Sequence, residues 1–461
     1  MTDVVPREPR GSSGDVVPFG EAVRTWLLIS LQTFGGPAGQ IAVMQRILVD
    51  ERRWIGSQRF LHALNYCMLL PGPEAQQLAI YIGWLLNGRR GGLVAGTLFV
   101  LPGVLALLAL SAIYVAFGET TAVSALFAGL APAVLAIVIQ AVRRVAGRAL
   151  SHPALIAIAV AAFLALTVFG IPFPAVVAVA AAAGWLLGRR RPGALAGRGG
   201  EHAADGPAPL VSDDALHAER PTTGRALRVI AAGAALWAAP MIAVALLAGT
   251  GSVFVEQGLF FSGAALVTFG GAYAVLAYVA QRAVEVYGWL APGEMVRGLA
   301  LAETTPGPLI MVVQFVAFLG AYRDPGGLDP WLAALIGALL TTWVTFVPCF
   351  VFIFLGAPYV ERLRGNQALS AALTGITAAV VGVIANLALY FALHTLFAGT
   401  RGVDAGPLAL ELPVLETLRP VSLAIAIAAG VMIFRWRWSV LRTLGACAAL
   451  GLLSALPQLL G

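Results

Sequence analysis

The chain has 461 residues, of which 59% are hydrophobic and only 11% charged, with a mean hydropathy of +0.86. Soluble proteins carry about 25% charged residues, so this composition excludes a soluble enzyme or binding module and describes an integral membrane protein built mostly of spanning helices. The net charge of +6 invites a nucleic-acid reading, but the arginines sit at segment ends and in loops rather than in one patch, as membrane topology requires.

Residues 1–19 are polar and read as a disordered tail without a cleavable signal. An apolar segment then runs from Trp26 to Phe34, is interrupted by Gly35-Gly36-Pro37, and continues as Ile41–Val49. A charged stretch from Asp50 through Trp54 ends at Arg59. Phe60–Leu70 is apolar, Pro71-Gly72-Pro73 breaks it, and Leu78–Leu86 resumes it. After the Arg89-Arg90-Gly91-Gly92 turn come four candidate spans, near 93–117, 122–142, 153–169 and 174–188. Residues 189–224, rich in Arg, Gly, Pro and Asp, read as a flexible hydrophilic linker. A span over 226–249 follows, and further long apolar windows lie at Trp331–Ala357 and Ala368–Phe397. These runs are continuously apolar rather than alternating, which argues against a β-barrel.

The second half repeats the first. Phe34-Gly35-Gly36 returns as Phe269-Gly270-Gly271, Trp54 as Trp289, and Pro71-Gly72-Pro73 as Pro306-Gly307-Pro308, all at one offset of 235 without a gap. After an insertion, Pro102 matches Pro348 and Gly129 matches Gly375 at an offset of 246. Such in-register matches indicate duplication. The division expected is a tail (1–19), a first transporter repeat (20–188), a cytoplasmic linker (189–224), a connecting transmembrane helix (225–250) and a second repeat (251–461). The connecting span has no counterpart, so with an even number of crossings per repeat it would invert the second repeat. The fold class expected is an all-α polytopic membrane protein of two homologous inverted repeats, with about 12–13 membrane segments. Its broken helices would meet near the bilayer midplane.

With the N-terminus inside and six crossings per repeat, Arg89-Arg90, Arg143, Arg144, Arg148, Arg189–Arg191, Arg362, Arg364, Arg435 and Arg437 all fall inside. The Arg46–Arg59 loop is the exception. Either the broken segments are re-entrant, or these arginines do another task.

A break inside lipid is tolerated where the freed backbone faces protein or a cavity. A helix restarting there aims its free N–H groups and positive dipole end at whatever sits in front of it. Gly36 and Gly271 would let a ligand approach the backbone, and the helix restarting at Pro73-Glu74 would do the same. Polar residues gather beside the breaks: Gln32, Thr33, Gln40, Glu74, Gln76 and Gln77, then Thr268, Glu303, Thr304, Thr305 and Gln314. Such duplicated broken segments point to the binding site of a secondary transporter, and converging helix N-termini suit an anion. Glu74 and Glu303 are the proton-coupling candidates, since an intramembrane carboxylate is expensive. All 29 basic residues are arginine, which binds oxyanions in bidentate fashion; Arg46, Arg52, Arg53 and Arg59 could recruit one to a vestibule. Cys67, Cys349 and Cys447 are scattered through apolar runs and read as small buried hydrophobes. The five histidines form no ligand set, so neither metal nor cofactor is expected. A membrane reductase would need a flavin or metal motif that the sequence does not offer, and a scaffold has no need of mirrored breaks.

Phe34-Gly35-Gly36-Pro37, Arg53-Trp54, Pro71-Gly72-Pro73 and their second-half echoes resemble the chromate ion transporter family in its long, fused two-domain form. The resemblance covers nearly all of the chain except tail and linker. It implies an all-helical secondary transporter of the bacterial plasma (inner) membrane, with N-terminus and linker cytoplasmic. It also implies chromate export driven by a proton gradient or the membrane potential, hence chromate resistance, with sulfate as a structural analogue. Sulfate or other oxyanion uptake, or an anion channel, are the alternatives. The second half departs from the motif, with Ala272 at the Pro37 position and Ala280-Gln281 in place of Gln45-Arg46. The substrate-binding set expected is Gly35, Gly36, Gln40, Arg46, Arg53, Pro71, Gly72, Pro73, Gln76, Gln77, Gly270, Gly271, Thr305, Pro306, Gly307 and Pro308. The partners expected are the oxyanion and the bilayer, not nucleic acid; a homodimer is left open.

Overall fold

A computed structural model describes residues 15–34, 36–190, 209–211, 222–269, 271–356, 367–405 and 408–457. Its first half holds α1 (Phe19–Gln32), α2 (Gly36–Gln45) running into a π-helical turn (Arg46–Glu51), α3 (Ser57–Cys67), α4 (Glu74–Phe117), α5 (Thr121–Ala149), α6 (Pro153–Thr167) and α7 (Phe173–Arg190). Next comes α8 (Thr223–Ala248). Then come α9 (Val253–Val267), α10 (Ala272–Gln281) with its own π turn (Arg282–Val286), α11 (Glu294–Thr304) and, after a 3₁₀ turn (Leu309–Met311), α12 (Val312–Arg323). The chain continues with α13 (Pro330–Gly356), α14 (Gln367–Leu396), an antiparallel hairpin of β1 (Thr400–Ala405) and β2 (Leu408–Pro413), α15 (Pro420–Phe434) and α16 (Val440–Ser454). This is the all-α architecture expected. By length and composition, α4, α5, α8, α13 and α14 can each cross a membrane, and shorter apolar helices accompany them.

Each break read from the sequence separates two helices. α1 stops at Gln32 and α2 starts at Gly36; α3 stops at Cys67 and α4 starts at Glu74. In the second half the same happens between α9 and α10 and between α11 and α12. A glycine with positive φ sits in each break: Gly36 at +74°, Gly72 at +115°, Gly271 at +106° and Gly307 at +107°. L-residues rarely adopt that conformation, so glycine is what lets the chain turn there. α4 contains a further interruption, at Asn87 (φ −138°) and Gly88 (φ +60°, ψ −153°). It is therefore a half-helix up to Leu86 and a long helix from Arg89.

The ends of the broken segments return to one place. The N–H of Val16 donates to the Leu86 carbonyl at 2.9 Å, Asn87 Nδ2 donates to the Val17 carbonyl at 2.6 Å, and Arg52 meets Glu21 at 2.5 Å. The start of α1, the end of the first π turn and the end of the first half of α4 thus share a face. The α1–α2 and α3–α4 segments thus fold as hairpins of half-helices whose ends return to one face of the protein. Two parts of the supposedly loose polar chain also join this face. Val17 is buried rather than part of a free tail. Leu210 and Val211 donate to the carbonyls of Arg53 and Trp54 at 3.1 and 3.0 Å, and Gly56 donates back to Val211 at 3.2 Å. The tail 1–14, most of the linker (191–208 and 212–221), 357–366 and 458–461 lie outside the described residues.

The long part of α4 carries the chain from this face to another. Its 29 residues, Arg89 to Phe117, rise on the order of 40 Å, more than the roughly 30 Å of a bilayer core. Near its far end the Tyr114 hydroxyl donates to Glu294 at the start of α11, at 3.0 Å. Arg323, at the end of α12, clamps the same carboxylate with two bonds of 2.7 Å and donates to the Trp289 carbonyl at 2.9 Å. The half-helices of the second half therefore return to this second face.

The two halves are interleaved. α5 packs on α16, and α14 packs on α7. Both contacts use glycine against backbone: a Cβ on Gly129 would lie 2.0 Å from the Cys447 carbonyl oxygen, and one on Gly375 would lie 2.3 Å from that of Ala180. Close backbone approach of this kind supplies helix association in lipid, where no hydrophobic drive exists between helices. α8 stands at the edge, with Leu246 and Leu247 80% and 88% exposed. It is fastened to α13 by Trp237 Nε1 to the Val344 carbonyl (3.2 Å) and Trp343 Nε1 to the Leu236 carbonyl (2.8 Å).

Candidate functional site

The four glycine breaks meet inside the protein, and they meet reciprocally. The N–H of Gly307 donates to the carbonyl of Thr33 at 2.9 Å, and the N–H of Gly72 donates to the carbonyl of Thr268 at 2.8 Å. Thr33 and Thr268 are equivalent at the 235 offset, as are Gly72 and Gly307. Each Pro-Gly-Pro glycine of one half thus closes on the end of the first broken helix of the other. Both threonines are fully buried, and their hydroxyls are spent on Ser30 and Ala264 carbonyls, at 2.8 and 2.6 Å.

The long helices seal these junctions the same way. A Cβ on Gly103 of α4 would sit 2.7 Å from the Pro306 carbonyl, and one on Gly72 would sit 2.9 Å from Cys349 Sγ of α13. Gly103 and Cys349 are equivalent at the 246 offset. Sequence reasoning took Cys349 only as a small hydrophobe; its place against Gly72 shows why a small residue is required.

The two junctions differ in their polar chemistry. At the first, Gln40 Nε2 donates to the Gly307 carbonyl. Tyr273, in the first turn of α10, donates its hydroxyl to Glu303 Oε1, while Glu303 Oε2 is buried with no partner. Gly36 faces that pair, since its missing Cβ would point within 3.8 Å of the Tyr273 hydroxyl. Gln40, Gly36, Glu303, Pro306 and Gly307 are therefore brought together. At the second junction, Gln77 Nε2 donates to the Pro71 carbonyl at 2.7 Å, and Pro73 precedes the first turn of α4. Gln76 Nε2 reaches the Gly96 carbonyl at 3.5 Å, and both glutamine Oε1 atoms lack a partner. Glu74 is half-buried beside them. Thr305 spends its hydroxyl on the Ala302 carbonyl at 3.0 Å, and Pro308 leads into the turn before α12. Gly35 and Gly270 lie outside the described residues.

The arginines chosen from sequence sit farther out. Arg46 touches Gln32 Oε1 at 2.8 Å and Glu51 at 3.5 Å, close to the end of α1. Arg53 is exposed, with φ at +52°, and its carbonyl holds Leu210. Tyr273 was not foreseen. It falls in an apolar run at the position matching Ala38, so the repeat comparison gave no signal for it.

Among the described residues, a Cβ on Gly36 would meet nothing nearer than the Tyr273 hydroxyl at 3.8 Å and one on Gly271 nothing within 4 Å, so the backbone at the starts of α2 and α10 is uncrowded. The N-cap of α10, Gly271, gives no side-chain cap bond, so the first-turn N–H groups are left to other acceptors. An anion is the natural one.

A sequence profile for a family described as chromate transporter matches residues 20–185 and 255–452. The chain is 34% identical over 388 residues to a chromate transport protein of Pseudomonas aeruginosa, covering 82% of this chain and 83% of that one. It is 28% identical to a chromate transport protein of Cupriavidus metallidurans over 372 residues (81% and 82%). It is 25% identical to a probable chromate transport protein of Synechococcus elongatus over 406 residues (87% and 91%). No solved structure matches it.

Proposed function

Because the chain belongs to the chromate transporter family, we propose that it is a secondary transporter carrying chromate, a tetrahedral dianion, out of the cytoplasm. The observation that carries this reading is the reciprocal closure of Gly307 on Thr33 and of Gly72 on Thr268, beside the starts of α2 and α10. In this closed arrangement two backbone donors are held by protein carbonyls. An oxyanion can replace those carbonyls one for one, with further N–H groups from the helix starts completing its shell. Substrate and protein thus compete for the same donors, and the site opens only as it is filled.

The Tyr273–Glu303 pair supplies the coupling. Glu303 accepts one hydrogen bond and keeps a free oxygen, so it can take a proton from outside once the dianion has left and release it to the cytoplasm before the next dianion binds beside Gly36, the exchange an inward proton gradient can drive. Glu74 is the second candidate, at the other junction. The face bearing Arg89, Arg90 and Arg225 is the cytoplasmic one, by the positive-inside rule. The linker then lies inside, and the second repeat is inverted about α8. The re-entrant hairpins put the Arg46–Arg59 loop on that same cytoplasmic face, so the positive-inside rule holds there too.

Radiolabelled chromate flux in everted vesicles tests this. Uptake should exceed that of vesicles without the protein, fall with excess sulfate and collapse with an uncoupler. Glu303→Gln should remove the dependence on the pH gradient, read with an electroneutral proton–cation exchanger, while the dianion's response to the membrane potential stays. Sulfate movement without chromate movement would favour sulfate uptake instead; no flux of either anion would sink the transport reading.

A further inference from the structure

A cleft of about 690 Å³ lies at the second face, where α11 and α15 begin and α14 ends. Arg297 and Arg419 line it, with Tyr390 and Thr395 of α14 between them. Thr395 is 5% exposed and its hydroxyl has no partner; the buried Tyr390 hydroxyl has none either. Arg297 is held in place, donating to the Tyr114 hydroxyl at 3.1 Å and lying 6.0 Å over the Phe127 ring. Arg419 makes no side-chain hydrogen bond or ion pair with the described residues, and it immediately precedes Pro420, the first residue of α15. Two guanidinium groups and a helix start line one space, and two hydroxyls without a partner are buried in its wall. That is the donor set of an oxyanion site.

Two carboxylates also border the cleft. Glu411 is engaged by the Thr400 hydroxyl at 2.5 Å and lies 3.7 Å from His394 Nε2. Glu285 is exposed at the rim. Their charges offset those of the two arginines, so the preference for an anion rests on the fixed Arg297 and the uncommitted Arg419 donors, and a weak hold suits a site that must release what it binds. The cleft is also in line with the junction. α11 runs from Arg297 at the cleft to Glu303 at its inner end, six residues on, which is on the order of 9 Å.

We propose that this cleft is a second binding site for a tetrahedral inorganic oxyanion, the outer station at which the anion pauses after leaving the Gly36–Glu303 junction. The role as an outer station rests on the transport reading above; the anion site itself does not. Equilibrium binding of radiolabelled sulfate to the purified full chain in detergent separates the two. Gly36→Leu blocks the junction and should leave saturable sulfate binding. Adding Arg419→Gln should raise its half-saturation about 10-fold, Arg419→Lys should raise it less, and Thr395→Val should raise it without altering any charge. Size-exclusion profiles identify any variant that misfolds, and Thr395→Val then carries the test. If Gly36→Leu binds no sulfate, or if binding is unchanged by Arg419→Gln and Thr395→Val, the cleft is not an anion site. Absent chromate flux in wild-type vesicles, together with retained cleft binding, would overturn the transport reading alone.

Discussion

At Gly36 the backbone holds φ at +74°, and among the described residues the one atom within 4 Å of an added Cβ, chain neighbours aside, is the Tyr273 hydroxyl at 3.8 Å. Alanine there meets little but backbone strain, of about 1–2 kcal/mol, whereas a leucine fills the space before the Tyr273–Glu303 pair. Gly36→Leu should therefore abolish chromate flux while the protein still reaches the membrane, which immunoblotting of vesicles beside the flux assay checks. Gly271→Leu, at φ +106°, should behave alike; flux surviving both changes would place the site elsewhere. Arg53 poses a different question. If it captures substrate, Arg53→Gln raises the apparent KM for chromate at matched protein levels, and Arg53→Lys raises it less because the fork is lost but the charge stays. If it only anchors its loop to the linker, membrane abundance falls and KM stays. The glycines were legible because a break in an apolar run has few other causes. Tyr273 was not, because one tyrosine among apolar residues has no pattern to betray it.

Half-helices were legible at the level of elements, but their direction was not. An apolar run of ten residues looks the same whether it continues or turns back, and it takes contacts such as Val16–Leu86, Asn87–Val17 and Arg52–Glu21 to show the turn. The β1–β2 hairpin was missed for a related reason: it is a short insertion of mixed polarity between spans, and the repeat comparison has no counterpart for it. The helix contacts through Gly129, Gly184, Gly375 and Gly451 give a prediction about elements rather than sites. A Cβ on Gly375 would fall 2.3 Å from the Ala180 carbonyl and 2.7 Å from the Gly184 Cα, both backbone, so α7 and α14 would have to separate. Gly375→Leu should lower the thermal midpoint of the purified protein, at a cost of about 1–3 kcal/mol or more, and Gly445→Leu, with nothing within 4 Å, should not. Equal midpoints would show that the α7–α14 contact is not what holds the halves together.

For the whole molecule, the duplication was plain in the sequence and the inversion was an inference from one unmatched span. Cysteine labelling in a cysteine-free background tests it: Ser212→Cys in the linker should react only from the cytoplasmic side, and Gly118→Cys, after the long part of α4, only from the periplasmic side. Equal access from one side at both positions would overturn the topology. The reciprocal bonding of the two halves also sets a timetable for synthesis. Gly72 leaves the ribosome well before Thr268, its acceptor, and Thr33 waits longer still for Gly307. At about 5–20 residues per second, the first half spends on the order of 10–50 s in the bilayer with a glycine N–H and a threonine carbonyl unmet. Lipid offers neither a partner, so the nascent first half must borrow water, the insertion machinery or a non-native pairing until its counterpart arrives. A ribosome stalled in the linker would hold the chain at that stage, exposed to membrane quality control.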